Sequence, residues 1–122
     1  MHQTRRLFLA TTLMAAALFA APAVLAHAHP KLMLPTPDYV GPSPAKVTIT
    51  FSESIEPRFS SISVTDEKGK QFNTATSAPV PGDPTTLTLA LPTLPVGVYV
   101  VHWVNVATDG HRLDGQYKFT VK

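Results

Sequence analysis

Ala45-Lys46-Val47-Thr48-Ile49-Thr50-Phe51-Ser52 decides the fold of this chain. Apolar side chains fall on every odd position and polar ones on every even position. That period of two describes a β-strand with one face buried and the other wet. Outward from this stretch the same pattern returns. Toward the N-terminus, Lys31-Leu32-Met33-Leu34 reads as a short strand stopped by Pro35, Pro37, Pro42 and Pro44, a proline density that fits an edge strand and turns. Toward the C-terminus, Ile55 to Phe59 carries Pro57 and reads as a connection, and Ser60 to Thr65 alternates again. Asp66-Glu67-Lys68-Gly69 supplies a turn, with Gly69 free to take positive φ. Lys70 to Phe72 is expected to resume a strand, and Asn73 to Pro84 to form a long polar, proline-rich loop. Leu87, Leu89 and Leu91 mark another half-buried strand. Val96 to Val106 is apolar on both parities, which predicts a central strand covered on both faces, and Gly97-Val98-Tyr99 at its start is a candidate tyrosine corner. After a polar connection over Ala107 to Asp114, Tyr117, Phe119 and Val121 point one way in a closing strand. About seven strands at near-regular spacing, with no convincing helix and no repeat, predict an all-β protein: a single Greek-key β-sandwich or barrel.

The first 26 residues stand apart. Arg5-Arg6 precede an apolar run from Leu7 to Phe19, and Val24-Leu25-Ala26 is a small-residue end, the pattern of a signal peptide cleaved after Ala26. The run is short for a membrane span and Pro22 follows it. Thr4-Arg5-Arg6-Leu7-Phe8-Leu9 resembles the twin-arginine export signal; an ordinary secretory signal with a basic start is the alternative. Cleavage removes two of the ten Lys and Arg residues, so the remaining basic residues equal the eight acidic ones and the processed chain is neutral. Without a basic excess it lacks the electrostatic footprint of a nucleic-acid binder. The chain also has no cysteine. An exported domain of residues 27–122 must therefore rely on core burial without disulfides, and thiolate chemistry, including blue-copper electron transfer, is excluded.

No serine sits in a G-x-S-x-G elbow and no glycine loop is built to cradle phosphate, so an enzyme of either kind is unsupported. The histidines remain. If cleavage makes His27 the first residue, its α-amine and ring Nδ1 can close a six-membered chelate around one metal ion, although an unbound, frayed terminus is the commoner fate of an N-terminus. Asp109-Gly110-His111 offers a carboxylate and an imidazole; at i and i+2 of an extended segment they would face one side, while the plain alternative is a solvated loop with a turn Asp. One amine, two imidazoles and a carboxylate make a tetragonal set suited to copper(II). A competing site needs no scaffold: the terminal His27-Ala28-His29 peptide can wrap copper(II) in an amine, two amide nitrogens and the His29 imidazole. His102, beside Trp103, reads as a core-edge histidine with a satisfied ring nitrogen.

His27-Ala28-His29, Phe51-Ser52-Glu53, Leu94-Pro95-Val96-Gly97-Val98-Tyr99 with Trp103, Asp109-Gly110-His111, Gly115 and Phe119 together resemble the CopC-type copper resistance proteins over nearly all of residues 27–122. The resemblance implies an immunoglobulin-like or cupredoxin-like Greek-key fold, a periplasmic location and a role in copper homeostasis without catalysis. It implies that His27, Asp109 and His111 are copper(II) ligands, with Glu53 an acidic neighbour; one ion per chain is expected, and His29 is a further candidate through the terminal-peptide chelate. It also implies a CopD-like inner-membrane transporter as partner to a monomeric carrier. Some relatives hold copper(I) in a methionine-rich loop. Here the Asn73 to Pro84 loop has no Met, and Met33, alone after cleavage, reads as core filler, so no copper(I) site is expected. Arg112 stands where the family often has Pro. An N-terminal histidine clasp also occurs in copper-dependent polysaccharide oxygenases, the enzymatic alternative; against it stand the Asp109 carboxylate and the lack of a flat aromatic-rich surface.

Overall fold

The computed structural model describes residues 28–122. The expected signal peptide and His27 lie outside the described residues. Among the described residues, eight strands form two four-stranded sheets: β1 (Pro30–Leu34), β2 (Val40–Gly41), β3 (Lys46–Phe51), β4 (Ser61–Asp66), β5 (Ala78–Val80), β6 (Asp83–Ala90), β7 (Gly97–Val106) and β8 (Arg112–Val121). One sheet runs β1-β3-β6-β5 and the other β2-β8-β7-β4. The chain changes sheet after β1, β2, β3, β4 and β6, while β5-β6 and β7-β8 are antiparallel hairpins and, among the described residues, β2 alone pairs in parallel, with β8. This is the all-β Greek-key sandwich that the alternation implies.

The alternation positions the core. Val47, Ile49 and Phe51 of β3 are buried, and Val47 and Ile49 stand opposite Leu89 and Leu87 of β6. The other face of the same pair carries half-buried Thr50 and buried Thr86, whose hydroxyls lie 3.0 Å apart, a cross-strand pair of the kind that pins register. Ala45 is exposed just ahead of the strand. From the other sheet come Ile62 and Val64 of β4, Tyr99 and Val101 of β7, and Tyr117, Phe119 and Val121 of β8. Burying these side chains between two sheets is the main force holding a cysteine-free domain together. Met33 packs against this core. The tyrosine corner forms: the Tyr99 hydroxyl donates to the Pro95 carbonyl at 2.6 Å.

Four expectations need correction. Lys70–Phe72 makes an isolated bridge, Thr65 to Gln71, with no strand beyond it. The expected loop from Asn73 to Pro84 contains β5, which tolerates Pro79 because it is a sheet edge. β8 starts at Arg112, inside the expected connection. Finally, β7 is central in its sheet, but only its inward parity faces the other sheet; His102 and Val104 on the outer face are half-buried. Its apolar outer face carries β-branched residues for strand propensity as much as for coverage.

Candidate metal centre

The β7-β8 turn is built so that a carboxylate and an imidazole meet. Ala107 donates its N–H to the His111 carbonyl at 2.9 Å, Gly110 donates to Ala107 at 2.9 Å, and Gly110 takes φ of 90°, a value open to glycine at no steric cost. Asp109 Oδ1 accepts the His111 backbone N–H at 3.0 Å, an Asx turn. Its Oδ2 lies 2.9 Å from His111 Nδ1. The two side chains are therefore brought together by a tight turn, and not by the extended i, i+2 spacing that the sequence suggested. With Nδ1 donating to the carboxylate, the imidazole carries its lone pair on Nε2, the tautomer in which histidine binds metals through that atom. The side chains of His111 and Asp109 are 46% and 48% exposed, open enough for an ion to reach from solvent.

Two other segments are stitched to the same end of the sandwich. Thr108 donates its N–H to Ser54 at 3.1 Å, and Ile55 bridges Ala107, which sets the stretch after β3, with exposed Glu53, beside the turn. The N-terminal segment joins through Ser52. Its N–H donates to the His29 carbonyl at 2.8 Å, while its hydroxyl accepts the His29 N–H at 3.1 Å and lies 3.2 Å from the ring Nδ1. One residue earlier, Ala28 is 1% exposed and its carbonyl accepts a hydrogen bond from the Asn105 side-chain amide. Sequence reasoning missed Ser52 and Asn105 as anchors. A signal existed for Asn105: it is the polar member of the inward parity Tyr99, Val101, Trp103, Asn105. It is fully buried, and its Oδ1 has no hydrogen-bond partner among the described residues, an arrangement that costs about 1–3 kcal/mol.

Among the described residues, no group of three or more His, Cys, Asp or Glu converges to hold a metal ion. Asp109 and His111 meet, His29 and Glu53 lie on neighbouring segments, and His27 lies outside the described residues. His102 is far along β7, with Nε2 2.9 Å from the Thr65 hydroxyl, the satisfied half-buried histidine that was expected. The donor set present, a carboxylate and an oriented imidazole at an exposed turn, fits a borderline divalent ion such as copper(II) once an amine and a second imidazole are added.

Fold and turn together define a small β-sandwich with an imidazole-carboxylate pair at the end where its N-terminal segment is anchored. Residues 35–122 match the CopC domain family, and the chain belongs to that family. It is 37% identical over 107 residues to copper resistance protein C of Pseudomonas syringae pv. tomato, covering 80% of this chain and 84% of the relative. It is 35% identical over 103 residues to protein YobA of Escherichia coli K12, covering 83% of each. Among solved structures, CopC from Methylosinus trichosporium OB3b superposes with a TM-score of 0.73 at 35% identity, covering 79% of this chain and 94% of that one. PcoC from Escherichia coli, described as a methionine-rich copper resistance protein, superposes with a TM-score of 0.69 at 32% identity, covering 80% of this chain and all of the other.

Proposed function

We propose that this chain is a periplasmic carrier that holds one copper(II) ion through the His27 amine and imidazole, Asp109 and His111, and buffers it or passes it to a membrane transporter. The observation that carries this reading is the Asp109-His111 pair, held with its ring tautomer fixed, at the end of the sandwich where Ala28 and His29 are tied down. A residue bonded to Ala28 starts one Cα–Cα step, about 3.8 Å, from that anchor. Membership of a family with copper resistance proteins supports copper as the cargo. Once bound, the ion would be held for transfer; nothing in the donor set calls for turnover.

The folded site is favoured over the terminal peptide site for a structural reason. Wrapping copper in His27-Ala28-His29 requires the amide nitrogens of Ala28 and His29. Ala28 is buried, and the His29 N–H is committed to Ser52. Forming the peptide site would pull Ala28 from the core and break that bond. Copper(II) is favoured over copper(I) because Met33, the one Met beyond residue 26, packs against the core. The test is competition titration of copper(II) into the processed protein and its His111→Ala variant, with electron paramagnetic resonance of each. Affinity is expected to fall by more than about 100-fold, beyond the 10- to 100-fold typical of a residue that only orients a ligand. A change of only a few-fold with an unaltered spectrum would sink the folded site.

A further inference from the structure

Asn105 does something that neither core packing nor the ligand set explains. It sits on β7 on the inward parity that elsewhere carries Tyr99, Val101 and Trp103, and it is 0% exposed. A side chain at such a position is ordinarily apolar, because an amide taken from water must recover its hydrogen bonds to break even. Asn105 recovers one: its Nδ2 donates to the Ala28 carbonyl. Because a carbonyl faces it, the amide nitrogen must be the atom that points at Ala28. Oδ1 has no partner among the described residues. The side chain is thus half satisfied, in a place where leucine would fill similar volume without that cost.

We infer that Asn105 is a positioning residue for the metal centre: it pins the Ala28 carbonyl, and so fixes the N-terminal segment from Ala28 onward at the end of the sandwich that carries Asp109 and His111. This rests on the reading given above and deepens it. The placement is specific. Asn105 pairs across β7-β8 with Leu113, two residues beyond His111, and Ala107, two residues beyond Asn105, opens the turn that holds Asp109. One strand end therefore carries both the turn with its two donors and the peg for the N-terminal segment. Ser52, just beyond β3, fastens the segment on the side of the opposite sheet, and Asn105 ties it to the strand that carries the turn. A terminal chelate needs this most, since a chain end has its own freedom to lose before it can bind.

The test compares the processed protein, Asn105→Leu and His111→Ala by copper(II) competition titration, electron paramagnetic resonance and thermal melting without metal. For Asn105→Leu the expected result is a melting temperature equal to or above the parent's, a 10- to 100-fold loss of copper(II) affinity, and a spectrum shifted toward four-nitrogen peptide coordination. Faster amide exchange at His29 should accompany it, which a purely structural role elsewhere in the core would not produce. If Asn105→Leu fails to fold, Asn105→Ala, which adds no bulk, is expected to give the same loss of affinity. Parent-like affinity and spectrum in the folded variant, with affinity lost in His111→Ala, would overturn the role of Asn105 alone. Parent-like affinity in His111→Ala as well would overturn the folded site and this inference with it.

Discussion

The backbone amide of Thr108 donates to the carbonyl of Ser54 at 3.1 Å, so the turn that carries Asp109 and His111 and the segment that carries Glu53 form one surface at the end of the sandwich. Glu53 is exposed there. In the proposed site Glu53 is a neighbour and not a ligand, so its charge would act on a bound ion through water, where a pair at about 4 Å is worth about 1 kcal/mol and is screened by salt. Glu53→Gln is therefore expected to weaken copper(II) binding less than about 10-fold, with the difference shrinking as salt is raised. Asp109→Asn, which removes a proposed ligand and the acceptor for His111 Nδ1, should cost more than about 100-fold at any salt. Titrations at two ionic strengths separate the two. Equal, salt-independent losses would make Glu53 a ligand.

Gly115 on β8 lies directly opposite Trp103 on β7, and a β-carbon added there would stand 2.5 Å from Trp103 Cζ2 and 2.8 Å from Cε2. The indole cannot swing away freely, since it packs edge-on against Phe51 with centroids 5.7 Å apart. Gly115→Ala should destabilise the fold by about 1–3 kcal/mol through overpacking. Urea unfolding followed by the fluorescence of Trp103, the sole tryptophan, reports both the loss and the disturbed ring. An unchanged midpoint with an unchanged emission maximum would show that the ring has room.

Fold and site differ in how far the sequence disclosed them. The alternation over Val47 to Phe51 and the one-sided Tyr117, Phe119 and Val121 state a buried face outright, because residue type and strand period carry the same information. β5 was hidden because Pro79 argues against a strand except at an edge, and whether a strand is an edge is a fact about neighbours distant in sequence. Lys70 to Phe72 misled in the other direction: the alternating Gln71-Phe72 returns only far enough to bridge β4 once. At the site, the identities of Asp109 and His111 were legible but their geometry was not. The extended spacing invoked for them is replaced by a turn with Gly110 at positive φ. The grip of Ser52 on His29 and of Asn105 on Ala28 spans 23 and 77 residues of chain, a separation that no local pattern encodes.

Acid should reach the fold partly through Asp83. Its carboxyl is held below the usual carboxylate range by hydrogen bonds from the Thr86 hydroxyl, then from the Thr85 hydroxyl and backbone N–H. A group whose folded pKa is depressed adds stability that is complete above its unfolded value and is lost as the pH falls through the folded value. Asp83→Asn should therefore be less stable than the parent at about pH 7, and the gap should narrow once the pH drops below the ordinary carboxylate value of about 4. Urea midpoints for the pair across that range give the answer. A gap that does not change with pH would mean that the Thr85 and Thr86 bonds survive protonation.

Processing is expected to act as the switch for the whole site. The proposed chelate uses the α-amine of His27, and while any residue precedes it that nitrogen is an amide, whose lone pair is delocalised into its carbonyl and which does not bind copper(II) without losing its proton. The anchors do not depend on this. Ser52 still holds His29, Asn105 still holds Ala28, and Asp109 still orients His111. A chain with one extra alanine ahead of His27 is thus expected to fold and melt like the processed protein, yet to bind copper(II) at least about 100-fold more weakly and with a changed spectrum. Intact mass spectrometry first fixes the N-terminal residue of each sample, and competition titration then compares them. The comparison isolates one atom, because the two proteins share every side chain of the proposed site. Equal affinity and an equal spectrum would remove the amine from the ligand set and leave Asp109 and His111 to be completed by some other donor.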